Sequence, residues 1–543
     1  MSTCCTGSGR ALGVLAVVVL SVLAGSALGA AYTWTWDAQS ASWHAIRHVS
    51  SDPNLYVNNF GQTGSTPGAV AFPGLGDDVT VGGASGTYGP ASIMAGNVTI
   101  NHLNITGALY LGNGRELRVA DGLDNSGTFQ AYASAVLYGD SVNTGLIDVW
   151  RSGVLTIEGS SLINTGVIEL NTNTGMGDGT MQVAANGLVI DGTGELWVGS
   201  TLYGLDFVNG ASHTIRYGGG SIAAGMTNLG TVNADRASHT LTLSEAGKVN
   251  RGVMKASNGA ALDLRTTIAQ EGSGLILADG GTVHLRGTTI TGGHLDTIND
   301  SEIMTYSGTV NTLADLANHG LIWIANNGST LTLAGSTIVN DGKIVLTENT
   351  GMGSGEMRID SNVVVSGGGE IDVRARLYSD GGFVLTNGPG HTIRYGDAPS
   401  GEGRIEAGLV NNGLLNSDYA GKVISLRGAD KVNNSLMEAT NGGYLDIYSR
   451  VDQSDNGAIV ANGGTVRLRG ATITGGHLHT ATGSEFVTVT DTISTLTDVD
   501  NNAVIRIVNN NSKLALAGTG IVNNGQMILT ANTGMGHGEM RID

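Results

Sequence analysis

Short stretches in which apolar and polar residues alternate recur along the chain from about residue 80 onward. In "NTGLIDV", for example, Ile147 and Val149 are apolar and the intervening Asp148 is polar. A period of two predicts a β-strand with one buried side and one solvent-facing side.

The same alternation assigns an orientation to positions in later stretches. It places Ile322 and Ile344 inward, and Glu438 and Arg506 outward. No amphipathic helical pattern is found beyond the first thirty residues. Hydrophobic residues make up 41% of the chain, enough for a core in a sequence otherwise rich in glycine. The pattern therefore predicts an all-β protein.

An asparagine, any residue and then a small residue precede most of these strands. Neighbouring copies of this motif are 21 or 22 residues apart. A unit of this length, with two or three short strands and Gly/Asn corners, is about one turn of a β-solenoid. We predict an elongated parallel β-helix with about 20–22 residues per coil, roughly 20 turns and a length on the order of 100 Å. The predicted corner asparagines are Asn143, Asn164, Asn228, Asn250, Asn318, Asn340, Asn411, Asn433, Asn501 and Asn523.

Asparagine suits such a corner for two physical reasons. It tolerates left-handed backbone angles, and its amide can form a hydrogen bond with the equivalent amide one turn away, as in asparagine ladders. The ten asparagines are therefore predicted to be structural.

A longer repeat is superimposed on the short one. "NTGMG" begins at Asn173, Asn349 and Asn532, at spacings of 176 and 183 residues. About eight turns would thus form one super-repeat of about 180 residues. The chain stops where a third super-repeat begins, without a cap for the last sheet edge. This pattern predicts the N-terminal fragment of a longer product.

The first thirty residues have the features of a secretory signal. Arg10 precedes an apolar segment at 11–28, and small residues offer cleavage near Ala30. An uncleaved membrane anchor is the alternative, but polar β-repeats follow at once. Cys4 and Cys5 would leave with the signal, so the mature chain would have neither disulfides nor a membrane span. We predict a signal peptide at 1–30, a Trp-containing N-terminal cap with the first coils at 31–80, and the solenoid at 81–543.

The formal charge is −19, from 27 basic and 46 acidic residues. A surface with this balance is unsuited to nucleic acid, because phosphate binding requires patches of Lys and Arg. Its simplest role is to keep a long, exposed rod in solution.

The segment "NLGTVNA…TLTLSEAGKVNRGVMKASNGAALDL…GGTVHLRGTTITGGHL", with the following "LANHGLIWIANNGSTLTLAGSTIVNDGKIVL", resembles the repeats of very large exported bacterial proteins. Those proteins are similar to autotransporter passengers and filamentous haemagglutinin-like adhesins. The resemblance implies a secreted or cell-surface protein with a structural or adhesive role. Its implied partners are glycans, extracellular matrix or neighbouring cells. If the chain does end at Asp543, end-to-end self-association is expected.

Two N-terminal features have a functional and a structural interpretation. Trp34, Trp36 and Trp43 could stack on a sugar, but a cap over the first coil is favoured. Asp77 and Asp78 could bind Ca²⁺, although a Gly-Asp turn entering a strand is commoner. No metal or cofactor is predicted.

Four histidines recur in pairs one super-repeat apart: His213 with His391, and His294 with His477. They are predicted to be surface or corner residues, because no cysteine or cluster of carboxylates accompanies them.

A carbohydrate-active lyase or hydrolase on the same fold is the main alternative to an adhesive rod. Such an enzyme needs acid–base groups that converge on one groove. The acidic and basic residues are instead scattered over outward positions. Arg286 recurs one super-repeat later as Arg469, as expected for a residue of the repeat rather than of a single catalytic site. No catalytic residue is predicted, so the chain is expected not to be an enzyme. An inert spacer for further C-terminal domains is the third hypothesis.

Overall fold

The structure is a computed structural model that describes residues 31–34, 47–48, 56–57, 60–63, 78–81, 91–93, 97–112, 114–171, 177–325, 327–348, 353–396, 401–508, 511–531 and 536–543. The predicted signal peptide, Trp36, Trp43 and Asp77 lie outside these residues. Near the N-terminus, the strand Ala31–Trp34 pairs with Phe60–Thr63 in antiparallel and with Asp78–Val81 in parallel orientation. Arg47–His48 pairs with Tyr56–Val57.

The described chain is all-β, and its parallel strands stack as a β-solenoid, as predicted. It has about 20 turns of about 21 residues each. No helix is present in the described part of the chain, and hence none there that could cross a membrane. Each regular coil contributes one strand to each of three ladders, which we call faces A, B and C in chain order.

Face A consists of Ala91–Ile93, Ala108–Leu111, Thr128–Ala131, Leu146–Val149, Val167–Leu170, Glu195–Val198, Thr214–Tyr217, Thr231–Ala234, Val253–Ser257, Leu275–Asp279, His294–Ile298, Ala317–Asn318, Thr337–Asn340, Val363–Ser366, Val384–Asn387, Gly408–Asn411, Lys431–Asn433, Arg450–Gln453, Thr472–Thr474, Ile493–Thr497, Lys513–Ala517 and Glu539–Ile542.

Face B begins with the first halves of two long strands, Val98–Ile105 and Glu116–Asn125. It continues with Ser134–Leu137, Val154–Ile157, Thr180–Val183, Thr201–Gly204, Ser221–Ile222, Thr240–Leu243, Ala261–Leu264, Thr282–Leu285, Glu302–Thr305, Leu321–Ile324, Lys343–Leu346, Glu370–Val373, Thr392–Tyr395, Leu414–Ser417, Leu436–Thr440, Ala458–Asn462, His477–Thr480, Asp500–Asn502 and Val522–Asn523.

Face C takes the second halves of the same two long strands, which pair with Asp78–Val81 and Ser141–Asn143. It continues with Ser161–Asn164, Leu188–Asp191, Phe207–Asn209, Met226–Asn228, Lys248–Asn250, Ile268–Gln270, Thr289–Thr291, Val310–Ala314, Thr330–Ala334, Glu356–Ile359, Arg376–Tyr378, Gly403–Ile405, Val423–Leu426, Tyr444–Ile447, Thr465–Leu468, Glu485–Thr488, Val504–Ile507 and Gln526–Leu529.

The core is a column of inward side chains inside the three faces. Ile322 is paired in register with Ile303 on one coil and Ile344 on the next, and all three are fully buried. Adjacent strands lie about 4.8 Å apart, so each inward side chain packs directly on its neighbours above and below. The alternation in the sequence thus sets the core of every coil.

The super-repeat does not contain a whole number of coils. The strands after the first two "NTGMG" segments, Thr180–Val183 on face B and Glu356–Ile359 on face C, are 25 strands apart. The third such strand, Glu539–Ile542 on face A, follows after 25 more. Twenty-five strands are eight three-stranded coils plus one strand. Equivalent residues are therefore about 40 Å apart along the rod and one face further around it, so the super-repeat of about eight turns includes one extra strand.

Two inward lysines fix turns at the coil corners. Lys248 Nζ donates to the carbonyl oxygens of Ser244 at 2.9 Å and Ala246 at 2.5 Å. Lys431, its equivalent, donates to the carbonyl oxygens of Ala407 and Arg427 at 3.0 and 2.8 Å. Burial lowers the pKa of each ammonium group to about 8.

The described fold gives a direct spectroscopic expectation. Circular dichroism of residues 32–543 should show β-structure with almost no helical signal. The same spectrum should persist when the protein is diluted, because each coil is completed by its neighbours in the same chain. A substantial helical signal would contradict the solenoid.

Candidate functional site

Buried asparagines form a hydrogen-bonded ladder along one corner of the rod. Nine of the ten predicted corner asparagines are fully buried, and Asn523 in the last coil is exposed. Asn143 Nδ2 donates to Asn164 Oδ1 at 2.8 Å, and Asn228 Nδ2 donates to Asn250 Oδ1 at 2.9 Å. None of the ten has a positive φ. The expected left-handed conformation is therefore wrong, because these residues end extended strands and their amides carry the interaction.

The ladder moves to another corner with each super-repeat. In the first super-repeat the ladder lies at the corner between faces C and A, where Asn143 ends its strand. In the second it joins faces A and B, where Asn318 donates to Asn340 at 2.8 Å. In the third it joins faces B and C, where Asn501 donates to Asn523 at 2.6 Å. This shift follows from the extra strand in the 25-strand period.

In each of two super-repeats, a histidine occupies a place where the ladder lacks an asparagine side chain; we call each side chain of the ladder a rung. After Asn164, the next rung position is Gly192, where a Cβ would lie 2.3 Å from the Asn164 carbonyl oxygen. The His213 ring fills this gap: Nε2 lies 3.0 Å from Asn164 Nδ2, and Nδ1 lies 2.7 Å from Asn209 Oδ1. Since Asn164 Nδ2 can only donate, the network requires a neutral imidazole with its proton on Nδ1.

The second super-repeat repeats this arrangement. His391 lies 3.0 Å from Asn340 and 2.7 Å from Asn387. Burial lowers the pKa of His213 and of His391 to about 4. Both imidazoles are fully buried. The prediction of a surface location is therefore wrong for this pair, although both lie at corners.

Several side chains of the ladder were not among the ten predicted corner asparagines. Asn125, Asn209 and Asn387 are buried members, and Gln270 and Gln453 end the two longer ladders. Asn125 begins "NSGTF", which matches the motif and could have been found. Asn209 and Asn387 precede glycine directly, so their spacing differs from the motif.

A line of aromatic side chains follows the outer side of face A. It spans six consecutive strands, about 24 Å along the rod. The rings of Tyr110 and Tyr132 meet edge to face at 4.7 Å, and those of Tyr132 and Trp150 at 6.2 Å. Further along, Trp197 and Tyr217 stack at 5.7 Å with 10° between their planes. We call these five residues the aromatic strip.

Tyr217 reaches the strip through an unusual backbone conformation. Its φ is 97°, whereas its equivalent, Tyr395, is fully buried and donates a hydrogen bond to the Gly401 carbonyl oxygen at 3.1 Å. A positive φ in a tyrosine costs about 1–3 kcal/mol, and such strain concentrates at functional sites. The first super-repeat therefore turns outward a ring that the second keeps in the core.

A polar groove of about 670 Å³ continues from the strip on face A. Arg216 connects the two, because its guanidinium lies over the Trp197 ring at 5.8 Å and contacts Asp235 at 2.5 Å. On its far side, Asn299 Nδ2 donates to Asp279 at 2.7 Å. Paired charges and amides beside aromatic rings suit a ligand with many hydroxyl groups.

Two carboxyl groups lie within the strip on adjacent coils. Asp148 and Glu169 are register partners on face A. Burial raises the pKa of both, and the Asp148 charge raises that of Glu169 further. The Asp148 carboxylate accepts hydrogen bonds from Asn171 at 2.7 Å and Gln130 at 3.3 Å. The alternation predicted that Asp148 faces solvent, whereas it is buried. Its proximity to Glu169 could not be predicted, because the two residues are 21 positions apart and meet only through the register of adjacent coils.

The remaining predicted candidates do not form a site in the described residues. The Trp34 side chain lies outside them. Asp78 is exposed and accepts a hydrogen bond from Asn101 at 2.8 Å. His294 is exposed and His477 is partly exposed. No group of three or more potential metal ligands occurs within the described ranges.

Comparison of the chain with known protein families, characterised proteins and solved structures gives no significant match. The class is therefore defined by the fold itself. The protein is a β-solenoid repeat protein.

Proposed function

We propose that this chain is an exported structural and adhesive rod of a bacterial cell surface, which binds extended glycans along the outer side of face A. In this role it would be similar to autotransporter passengers and filamentous haemagglutinin-like adhesins. The signal-like N-terminus and the repeats of the sequence support export and surface display. The aromatic strip is the single observation that carries the binding role.

Aromatic rings stack on the apolar CH faces of sugars and bury a large area for a small loss of side-chain entropy. Of the three tryptophans whose side chains the structure describes, Trp150 and Trp197 belong to the strip and Trp323 lies elsewhere. Six coils cover about 24 Å, which is long enough for several sugar units. Weak contacts at successive units add through multivalency when the rod is rigid.

The binding role can be tested with two matched tryptophan substitutions. Trp197→Ala should weaken binding of a neutral polysaccharide to the purified chain about tenfold, which corresponds to about 1.4 kcal/mol. Trp323→Ala should leave the affinity unchanged, because that ring lies on face B outside the strip. Calorimetric titration with a panel of soluble neutral polysaccharides measures both effects.

Equal losses in the two variants would contradict a role for the strip. Absence of binding to every polysaccharide in the panel would favour the inert spacer instead. Trp150→Ala provides a second variant in the strip, in case Trp197→Ala disturbs the stacking of Tyr217.

A glycan-cleaving enzyme is the second candidate, favoured by Asp148 and Glu169. A carboxyl group with a raised pKa beside a second carboxylate is the arrangement used for general acid catalysis. Against this role, Asp148 is buried and both of its oxygens accept amide hydrogen bonds. Release of reducing ends from a bound polysaccharide, abolished by Glu169→Gln, would establish the enzyme; binding without cleavage favours the adhesive rod.

A further inference from the structure

A second groove, of about 590 Å³, lies on the outer side of face B. Small residues line one side of it, including Gly219, Gly220 and Ser221. At one end, the Asp263 carboxylate contacts Arg265 at 2.9 Å, Arg286 at 3.3 Å and His284 Nδ1 at 2.7 Å. The other acidic residue of the groove, Asp178, lies four coils away at the opposite end. The Asp263 end therefore has two guanidinium groups for one carboxylate.

The positions of these cationic groups are fixed by further contacts. The Arg286 guanidinium lies 3.3 Å from the centroid of the Tyr306 ring. The hydrogen bond between His284 Nδ1 and Asp263 sets the ring orientation and places Nε2 on the side of the ring away from this carboxylate. Asp263 is almost fully buried, whereas the Arg265 side chain is 44% exposed. The buried Asp263 carboxylate thus holds the Arg265 and Arg286 guanidinium groups in place. It carries a single negative charge and does not neutralise both of them.

The equivalent surface of the second super-repeat carries larger side chains. Gly219, Ser221 and His284 correspond to Glu402, Arg404 and Arg467, each 183 residues later. There Arg467 and Arg469 both bond to Asp446, and Glu402 accepts from Arg427 at 2.6 Å. Bulky side chains thus replace small ones, and Arg427, Arg467 and Arg469 each bond to a carboxylate.

We propose that the cationic end of the face B groove binds the carboxylate of a uronic acid unit in an acidic polysaccharide. Planar guanidinium groups pair with a carboxylate through parallel N–H···O hydrogen bonds, and Arg265 and Arg286 supply them. His284 Nε2 and the Thr242 hydroxyl line the same groove and provide partners for sugar hydroxyls. The small residues leave space for the ring. This site is separate from the aromatic strip on face A.

The proposal is tested by calorimetric titration of the purified full chain with a tetramer of galacturonic acid. The uronate tetramer should bind at least tenfold more tightly than a neutral galactose tetramer, and its affinity should fall as salt is added. Arg286→Gln should weaken uronate binding at least tenfold. Arg469→Gln, at the equivalent position of the second super-repeat, should leave it unchanged.

Ser221→Arg provides a second, independent variant. It introduces the residue that occupies the equivalent position 404, where the fold accommodates it, and should block the groove without unfolding the coil. Trp197→Ala should not alter uronate binding, so failure of this site is distinguishable from failure of the strip. Equal affinity for the uronate and neutral tetramers, or equal losses in the Arg286 and Arg469 variants, would overturn the assignment.

Discussion

Acidification from pH 7 to pH 4 is expected to destabilise the coils around His213 and His391 by about 3 kcal/mol each. In the unfolded chain each imidazole titrates near pH 6.5, whereas burial lowers the folded-state pKa to about 4. Between these values the unfolded chain binds protons that the folded rod does not. Stability is therefore fully present above about pH 6.5 and is lost as the pH falls toward 4.

The ladder geometry gives this loss a structural reason. A protonated imidazole has N–H groups on both nitrogens, and His213 Nε2 would then face the Asn164 amide donor at 3.0 Å. Asp191 and Glu195 near His213, and Glu370 near His391, oppose the lowering of the pKa but are outweighed by burial.

Hydrogen exchange of backbone amides at pH 7 and pH 4, corrected for intrinsic rates, measures the effect coil by coil. Protection should fall most in coils that contain the two histidines, because repeat proteins lose stability locally. A double variant, His213→Gln with His391→Gln, should lose much less protection on acidification. His294→Gln, which changes an exposed histidine, should behave like the unsubstituted chain. Equal pH dependence in all three proteins would contradict the assigned role of the buried pair.

Ile322→Asp is expected to destabilise its own and the adjacent coils by more than about 4 kcal/mol. The side chain is fully buried between Ile303 and Ile344. The substitution removes an apolar contact on both sides and places a carboxylate among apolar core side chains. Ile344→Asp should have an effect of the same size.

Outward substitutions provide the control for this effect. Arg506→Gln removes one exposed ion pair with Glu485, and Glu438→Gln changes a partly exposed position. Each should cost less than about 1 kcal/mol. Urea unfolding followed by far-UV circular dichroism compares the four variants, and comparable losses in both groups would show that the inward and outward assignment is wrong.

The sequence was sufficient to predict the solenoid because its coils are built locally. The pairs Ile147 with Val149 and Ile322 with Ile324 define strands that alternate inward and outward, and the Asn-x-small motif gives the length of a coil. Parallel stacking follows, because no single coil can bury its own inner face. These features require no knowledge of long-range contacts.

The candidate sites depend on contacts between coils that alternation does not encode. The His284–Asp263 and Asp148–Glu169 pairs join residues 21 apart, on strands whose register had to be known first. His213 is polar and close to glycine, which is typical of an exposed turn. Its residue type therefore gave no sign that it is a buried member of the ladder. Tyr217 and Tyr395 stand in identical "HTIRYG" segments, yet only the structure shows that their rings point in different directions.

The extra strand in each super-repeat gives the rod an approximate threefold screw symmetry. Two successive blocks of 25 strands carry a feature from one face to each of the other two in turn, over about 80 Å. A flat partner lying along one side would meet each motif once in that distance. Parallel rods packed in a trigonal array could instead present the same motif to every neighbour, each at a different height.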